Sequence, residues 1–450
     1  MRPSQRSFTS PALESALATL VPRFIDPNLG TLFSNALPNS LDTTILKHDA
    51  TPHKEDTFII TGDIPAMWLR DSTNQVWPYL RWAKTDAALQ GLLRGLLRRQ
   101  VYNVLHVSPY ANAFQINGSG PSEHHADVVS PLSLSSFWVF EAKWEADSLS
   151  NVLRLASGYY NATGDKDPFD ADFVSAVRLI IATFREQQLG SDEEDARGGA
   201  RYSFQRAALE PTDSLEHGRG PPAANGTGLI KCGFRGSDDG LLLPFNIAEN
   251  AFAASALSGV SSLLAALGLP EDAADAAALS SEIRAGISAY GVMRHSILKK
   301  DLYAYEVDGY GSQVFLDDAN IPGLLSMPYY GFVQSDDPLY QDTRAALLSD
   351  TNPYWISGAG GAAIGGAHNG RPWVWPMSMV TRAWTSSDDA EIIQQLAWLL
   401  NSSACTGYLH ESFSKDDVFN YTRPWFAWMN SFFGDLILKL VDERPHLIIK

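Results

Sequence analysis

Apolar residues recur at helical spacing through most of this 450-residue chain, and that spacing limits the fold more than any other feature. In Ala171–Leu189, the residues Phe173, Val174, Val177, Ile180, Ile181 and Phe184 trace one face of a 3.6-residue period. In Asp388–Leu400, Ile392, Ile393, Leu396, Leu399 and Leu400 do the same, behind Asp388 with Glu391 three residues on, a capping-box-like start. Further helices are expected over Ser10–Val21, Ala87–Val107, Leu134–Tyr160, Glu249–Leu267, Ala273–Tyr290 and Ala427–Val441. Strand signals are confined to Thr57–Thr61 and Ala304–Val307. Long connections rich in Gly, Pro and aromatics separate the helices: 108–129, 190–241, 307–330 and 351–376. Connections of that length in a compact fold are usually functional or disordered. The charged, Gly-rich stretch Ser191–Arg219 reads as a flexible surface excursion, whereas the others carry Trp, Tyr, His and Asn and suit a ligand.

A chain this long exceeds one simple core, so two domains are the default unless elements are added around a ring. No linker divides it and no repeat of fixed period is visible. The expectation is therefore one all-α helical toroid over residues 1–450, with long loops gathered into a pocket. Charged residues make up 19% and hydrophobic residues 45%, a folded composition. The net charge of −17 argues against nucleic acid as a partner. No apolar run of about 18 residues is present to span a membrane, and the N-terminal stretch lacks an apolar signal core. Five Asn-x-Ser/Thr triplets, at Asn117, Asn161, Asn225, Asn401 and Asn420, lean towards a secreted protein whose signal is missing from this sequence, with a cytoplasmic site nearly as plausible. Two cysteines, Cys232 and Cys405, allow at most one disulfide.

Four loop segments concentrate chemistry: TGDIPAMWLRDSTNQVWPY (61–79), FRGSDDG (234–240), GGAHNGRPWVWPM (365–377), and GYLHESF (407–413) followed by YTRPWFAW (421–428). Together they offer carboxylates, planar rings and fork-shaped guanidinium groups. Such a mix suits a sugar, whose C–H face packs on an aromatic ring while vicinal hydroxyls take bidentate partners. Arg70 and Asp71 can grip one hydroxyl pair, with Trp68 or Trp77 nearby as a platform. Asp63, His368, Arg235, Trp375 and Arg423 are the other candidates for substrate contact. Glycoside hydrolysis needs two carboxyl groups flanking the scissile bond. Glu411 and the pair Asp238-Asp239 lie on loops distant in sequence, as a cleft assembled from loops requires.

Plainer readings stand beside these. Arg70-Asp71 has the form of a structural ion pair, Asp238-Asp239 after Ser237 that of a helix cap, and His410-Glu411 that of a brace for Arg423. Glu145 and Asp147, on a helix rich in Trp, Phe and Leu, read as a brace for a loop. No CxxC, HExxH or GxxxxGK[ST] is present, so zinc hydrolysis and nucleotide use lack their residues, and no metal or other cofactor is expected.

The motifs TGDIPAMWLRDST, FRGSDDG, WPMSM with TRAWTS, GYLHESF, YTRPWFAW and NSFFGDL resemble, in order from about Ser34 to Leu440, glycoside hydrolase family 125, the exo-acting α-mannosidases. That resemblance implies an (α/α)6 barrel that removes a non-reducing terminal α-1,6-linked mannose from a glycan, with inversion and without a metal. It carries the general base onto Glu411 and the general acid onto Asp238 or Asp239, with Asp239 preferred. It carries the clamp on the terminal sugar onto Arg70 and Asp71. Two departures stand out. Arg235-Gly236 replaces the family's usual Arg-Pro before the acid, which is expected to loosen that loop, and Ala359–Ala367 is unusually small. A phosphorylase or other exo-glycosidase on the same fold, using Arg371, Arg382 or Arg423 for phosphate, and an inactive mannose-binding homologue are the alternatives.

Overall fold

A computed structural model describes residues 5–208 and 210–450. Most of the expected helices form, close to their expected limits: Pro11–Leu20, Ala87–Tyr102, Ala171–Glu186, Ile247–Ala266, Pro270–Tyr290, Asp389–Ser402 and Ala427–Glu443. Their starts follow ordinary capping chemistry. The Ser10 hydroxyl accepts from Leu13 N–H, Asp170 caps two amides, and Asp388 accepts from Ala390 N–H. The reciprocal half of the expected capping box is missing, because Glu391 accepts from Arg382 Nε instead.

The chain resolves into two compact units. One comprises Met1–Arg99, Gly158–Pro168 and Trp355–Lys450, the other Gln100–Ser157 and Phe169–Tyr354. In the first, Ala427–Glu443 is the central helix. It buries Trp428, Phe432, Phe433, Leu436, Ile437 and Leu440, and packs against Pro27–Ala36, Leu69–Val76 and Pro376–Trp384. In the second, Ile247–Ala266 and Pro270–Tyr290 pack side by side, joined by a turn in which Gly268 has φ +81°. Ala-rich faces let these two helices approach closely, and Ser280 Oγ donates across to the Ala254 carbonyl at 2.7 Å.

Several expectations are corrected. Leu134–Tyr160 is not one helix: a 3-10 turn (Leu132–Ser135) and a short strand (Val139–Glu141) precede the helix Ala146–Thr163. Glu145 therefore sits just ahead of the helix and Asp147 in its first turn. Strands are more numerous than expected but mostly two to five residues long, pairing in small antiparallel sheets. Such short segments carry too few residues for a period-2 pattern to register. Ser191–Arg219 is not a free excursion. It contains the helix Ser191–Ala196 and the strand Ser203–Gln205, and Arg206 makes paired bonds to Asp127, with a further one to Glu141. No helix follows Asp238-Asp239 to be capped; the next begins at Ile247 behind Asn246, which caps it. Both cysteines are free thiols. The five triplet asparagines are all exposed, so burial bars none of them from carrying a glycan.

Candidate active site

The helix Leu69–Val76 answers why so many polar residues crowd one stretch. Every residue in it is buried, including Arg70, Asp71, Ser72, Thr73, Asn74 and Gln75. Burying a polar group without a partner costs about 1–3 kcal/mol, so a wholly buried helix of this composition must be bonded throughout or serve a ligand. Bonds tie down its far end. Gln75 Nε2 donates to the Ile60 carbonyl at 2.9 Å and to Thr44 Oγ1 at 3.2 Å, and Asn74 Nδ2 donates to the Arg70 carbonyl at 2.8 Å. The near end presents the Arg70-Asp71 pair, with Nε and Oδ2 3.7 Å apart and the guanidinium 5.9 Å from the Trp428 ring centre. Trp68, the residue before this helix, is buried in a two-residue strand.

In the same unit, the segment carrying Glu411 is anchored on both sides. Asn430, on the central helix, accepts from Leu409 N–H at 3.0 Å and donates to the Leu409 carbonyl at 2.9 Å. Phe413–Ser414 pairs with Trp373–Val374 and with Asp417–Tyr421 in a three-stranded sheet. The His410 ring stacks on Tyr421 at 3.6 Å between centres, and burial pushes its pKa below the usual histidine value. Glu411 is thus fixed, with Oε2 accepting from Thr422 Oγ1 at 3.3 Å and Oε1 3.4 Å from Arg423 Nη1.

Arg423, at φ +47°, also grips Asp63 through Nε and Nη2. Burial works against its charge, but Asp63, Glu411 and Asp71 more than offset this and hold its pKa above the ordinary arginine value. The brace reading of Arg423 is therefore correct, and it ties Asp63, Asp71 and Glu411 into one electrostatic group. Gly62 lets this happen. At φ +140°, a Cβ there would lie 2.2 Å from the Trp425 carbonyl oxygen.

The run of small residues at 359–367 has a packing cause. Trp355–Gly358 and Gly361–Ile364 form a hairpin lying directly on the Phe413–Ser414 strand region. A Cβ at Gly358 would come within 2.4 Å of the Lys415 carbonyl oxygen, and one at Gly365 within 2.3 Å of the Trp373 carbonyl oxygen. Side chains there would push the Glu411 strand out of place. Beyond the hairpin, His368 meets the buried Trp375 edge to face at 6.0 Å.

The second unit holds the Asp238-Asp239 turn. Arg235 N–H donates to the Asp239 carbonyl and Asp238 N–H to the Arg235 carbonyl, both at 2.8 Å, with Asp238 at φ +67°. Gly240 N–H donates to the Thr212 carbonyl at 2.7 Å. Arg235 Nε reaches the fully buried Glu306 at 2.7 Å, whose other oxygen accepts from Leu242 and Leu243 N–H. Gly236 does not loosen this turn. It lies against Ile321-Pro322, where a Cβ would touch Pro322 Cδ at 3.3 Å, and the bonds around it fix the backbone.

The two aspartates have different surroundings. Lys143 Nζ donates to the Asp238 carbonyl at 2.6 Å, and Asn112 Nδ2 lies 3.5 Å from its carboxylate while also donating to Glu141 and Glu145. Asp239 is buried beside a second buried carboxyl, Asp318, whose pKa is raised first by burial and then by the Asp239 charge. Its chain neighbour Asp317, which accepts from Leu324 and Leu325 N–H, is pushed up to about 7 chiefly by burial.

The sequence reading overlooked Asn112, Lys143, Glu306, Asp317 and Asp318. The last two stood as a second Asp-Asp pair within an aromatic loop already marked as ligand-facing, which was the available signal. Among the described residues, no cluster of three or more His, Cys, Asp or Glu side chains has the arrangement of a metal site.

Comparison with known proteins places this geometry. The family model described as metal-independent α-mannosidase (GH125) matches residues 26–438. The meiotically up-regulated gene 157 protein of Schizosaccharomyces pombe is 41% identical over 455 aligned positions, covering 99% of this chain and 89% of that protein. A solved structure of a Streptococcus pneumoniae metal-independent α-mannosidase, in a non-productive complex with α-1,6-mannobiose, superposes with a TM-score of 0.89. It is 35% identical, and the match spans 97% of this chain and all of that one. A bacterial glucoamylase bound to acarbose shares the fold alone, at TM-score 0.59 and 11% identity, over 95% of this chain and 57% of its own. The fold class is the all-α (α/α)6 type of these glycosidases.

Proposed function

We propose a reaction for this chain, which belongs to the metal-independent α-mannosidase family, GH125: hydrolysis of a non-reducing terminal α-1,6-linked mannose from a mannose-containing glycan, with inversion. The observation that carries the reading is Glu411, a buried carboxylate held by Thr422 and Arg423 in the same unit as the buried Arg70-Asp71 pair. A base that must take a proton from water has to be aimed, and the guanidinium at 3.4 Å and the Thr422 hydroxyl at 3.3 Å hold Glu411 in place.

Arg70, Asp71 and Trp68 hold the terminal sugar, with Asp63, Trp375 and His368 as further contacts. Asp239 is assigned as the acid that protonates the leaving oxygen. It is the more buried of the two, in the turn that its own carbonyl closes, whereas the Asp238 carboxylate lies 3.5 Å from Asn112 Nδ2. Arg235, locked to Glu306, supports the acid turn more than it serves the sugar. The whole of residues 1–450 acts as one catalytic domain in this reading.

The phosphorylase alternative needs an uncommitted cation. Arg423 is taken up by Asp63 and Glu411, and Arg382 by Glu391 at 2.6 Å, which leaves exposed Arg371 of the three candidates, so a phosphorylase would show as mannose release that depends on added phosphate. The test is incubation with α-1,6-, α-1,3- and α-1,2-mannobiose in the presence of EDTA. Free mannose is expected from the α-1,6 dimer and little from the others. Equal cleavage of all three, or loss of activity on chelation, would contradict the reading.

A further inference from the structure

We propose that Asp318 is the positioning residue for the proton donor: by accepting the Ser237 hydroxyl, it fixes the turn that carries the Asp239 carboxyl. The proposal rests on the assignment of Asp239 as the acid. Asp318 lies 79 residues along the chain from Asp239, in a loop with no long regular element, yet three observations bring it to the acid.

The first is direct. Ser237 Oγ donates to Asp318 Oδ2 at 2.8 Å in a buried setting, where such a bond is shielded from competing water. Ser237 is two residues before Asp239, inside the turn closed by the bond from Arg235 N–H to the Asp239 carbonyl. Holding the Ser237 side chain therefore adds a side-chain anchor to the backbone bonds that already close the turn.

The second is that Asp318 is itself held. Its Oδ1 accepts from Asn320 N–H at 3.1 Å, and the next residues, Ile321-Pro322, pack against Gly236. A single short segment thus touches the acid turn at two adjacent residues, Gly236 by packing and Ser237 by hydrogen bond. At Gly236 a Cβ would meet Pro322 Cδ at 3.3 Å, so the segment packs closely on this position.

The third is electrostatic. Asp318 is buried with its charge opposed by burial and by Asp239, and favoured by Arg235. Asp317, Tyr305 and Tyr354 also face it, and Arg235 is the cation among these neighbours. The place of Asp318 here is accounted for by the Ser237 hydroxyl, which a carboxylate accepts more strongly than a neutral acceptor would. Asp318 does not touch the reacting atoms in this account; it acts through Ser237 and Asp239.

Dependence on the leaving group tests the proposal. A poor leaving group, the sugar of α-1,6-mannobiose, needs its oxygen protonated as the bond breaks, whereas 2,4-dinitrophenolate does not. For Asp318→Ala and Ser237→Ala, kcat/KM on α-1,6-mannobiose is expected to fall about tenfold to a hundredfold, a fraction of a full acid–base contribution. On 2,4-dinitrophenyl α-mannoside the fall is expected to stay within about threefold. Asp318→Asn, which keeps an acceptor for Ser237, is the conservative variant. It should recover part of the loss and should fold even where the alanine variant does not. Equal losses on both substrates would show a general structural role, and no loss on either would show no role; each overturns the proposal. Asp239→Asn run in parallel separates the two claims. If that variant shows no preference for the activated substrate, the acid assignment fails, whatever Asp318 does.

Discussion

Glu411→Gln is expected to lower kcat on α-1,6-mannobiose by about 10²–10⁴-fold, the range of a general acid–base contribution, with the melting temperature nearly unchanged. The amide is the same size as the carboxylate and keeps an oxygen for Thr422 or Arg423, so the packing survives. Arg423 is not orphaned either, since Asp63 still takes two of its donors. Loss of one partner of a buried cation usually costs about 3–5 kcal/mol; retention of the other should keep the change to about 1 kcal/mol. The loss should be similar for activated and unactivated substrates, because water must be deprotonated in both reactions. Kinetics on the two substrates and a thermal melt decide it. Near-normal turnover by the amide variant would remove Glu411 from the chemistry.

Asp239→Asn is the second large effect, and its signature differs. On α-1,6-mannobiose kcat/KM should fall by about 10²–10⁴-fold, while on 2,4-dinitrophenyl α-mannoside most of the rate should remain. Asp238→Asn supplies the contrast. Its side chain lies 3.5 Å from Asn112, and the bond from Lys143 to its backbone carbonyl survives the substitution. A modest loss without leaving-group dependence is expected there. Should the two variants exchange behaviour, the acid is Asp238, and the argument from the burial of Asp239 is wrong.

The sequence was most legible where a physical period was long enough to register. The helices Ala171–Glu186, Ile247–Ala266 and Ala427–Glu443 bury apolar faces over four or more turns, and their limits were visible to within a few residues. The helix Leu69–Val76 was not legible as a helix, because it has only eight residues, six of them polar, and all are buried. No amphipathic stripe exists when there is no solvent face. That same conflict between composition and burial is what marks it as functional.

The loops divide similarly. Glu411, Asp239, Arg70 and Asp71 were recoverable as dense islands of carboxylate, guanidinium and aromatic residues, and the family resemblance gave them roles. Their supports were not recoverable. Asp318 reaches Ser237 across 81 residues and Glu306 reaches Arg235 across 71, separations over which one sequence carries no pairing signal. The expected mobility of Ser191–Arg219 failed for the same reason. Its charges looked like a solvated surface, but Arg206 is spent on Asp127 and Glu141, two partners far upstream.

Which anomer of mannose appears first is the most direct check on the claim that Glu411 activates water for a single displacement. Proton NMR during the first minutes of α-1,6-mannobiose hydrolysis, before mutarotation mixes the forms, should show β-mannose. Initial release of α-mannose would mean that the sugar passes through a covalent or doubly displaced intermediate, and the role given to Glu411 would be contradicted.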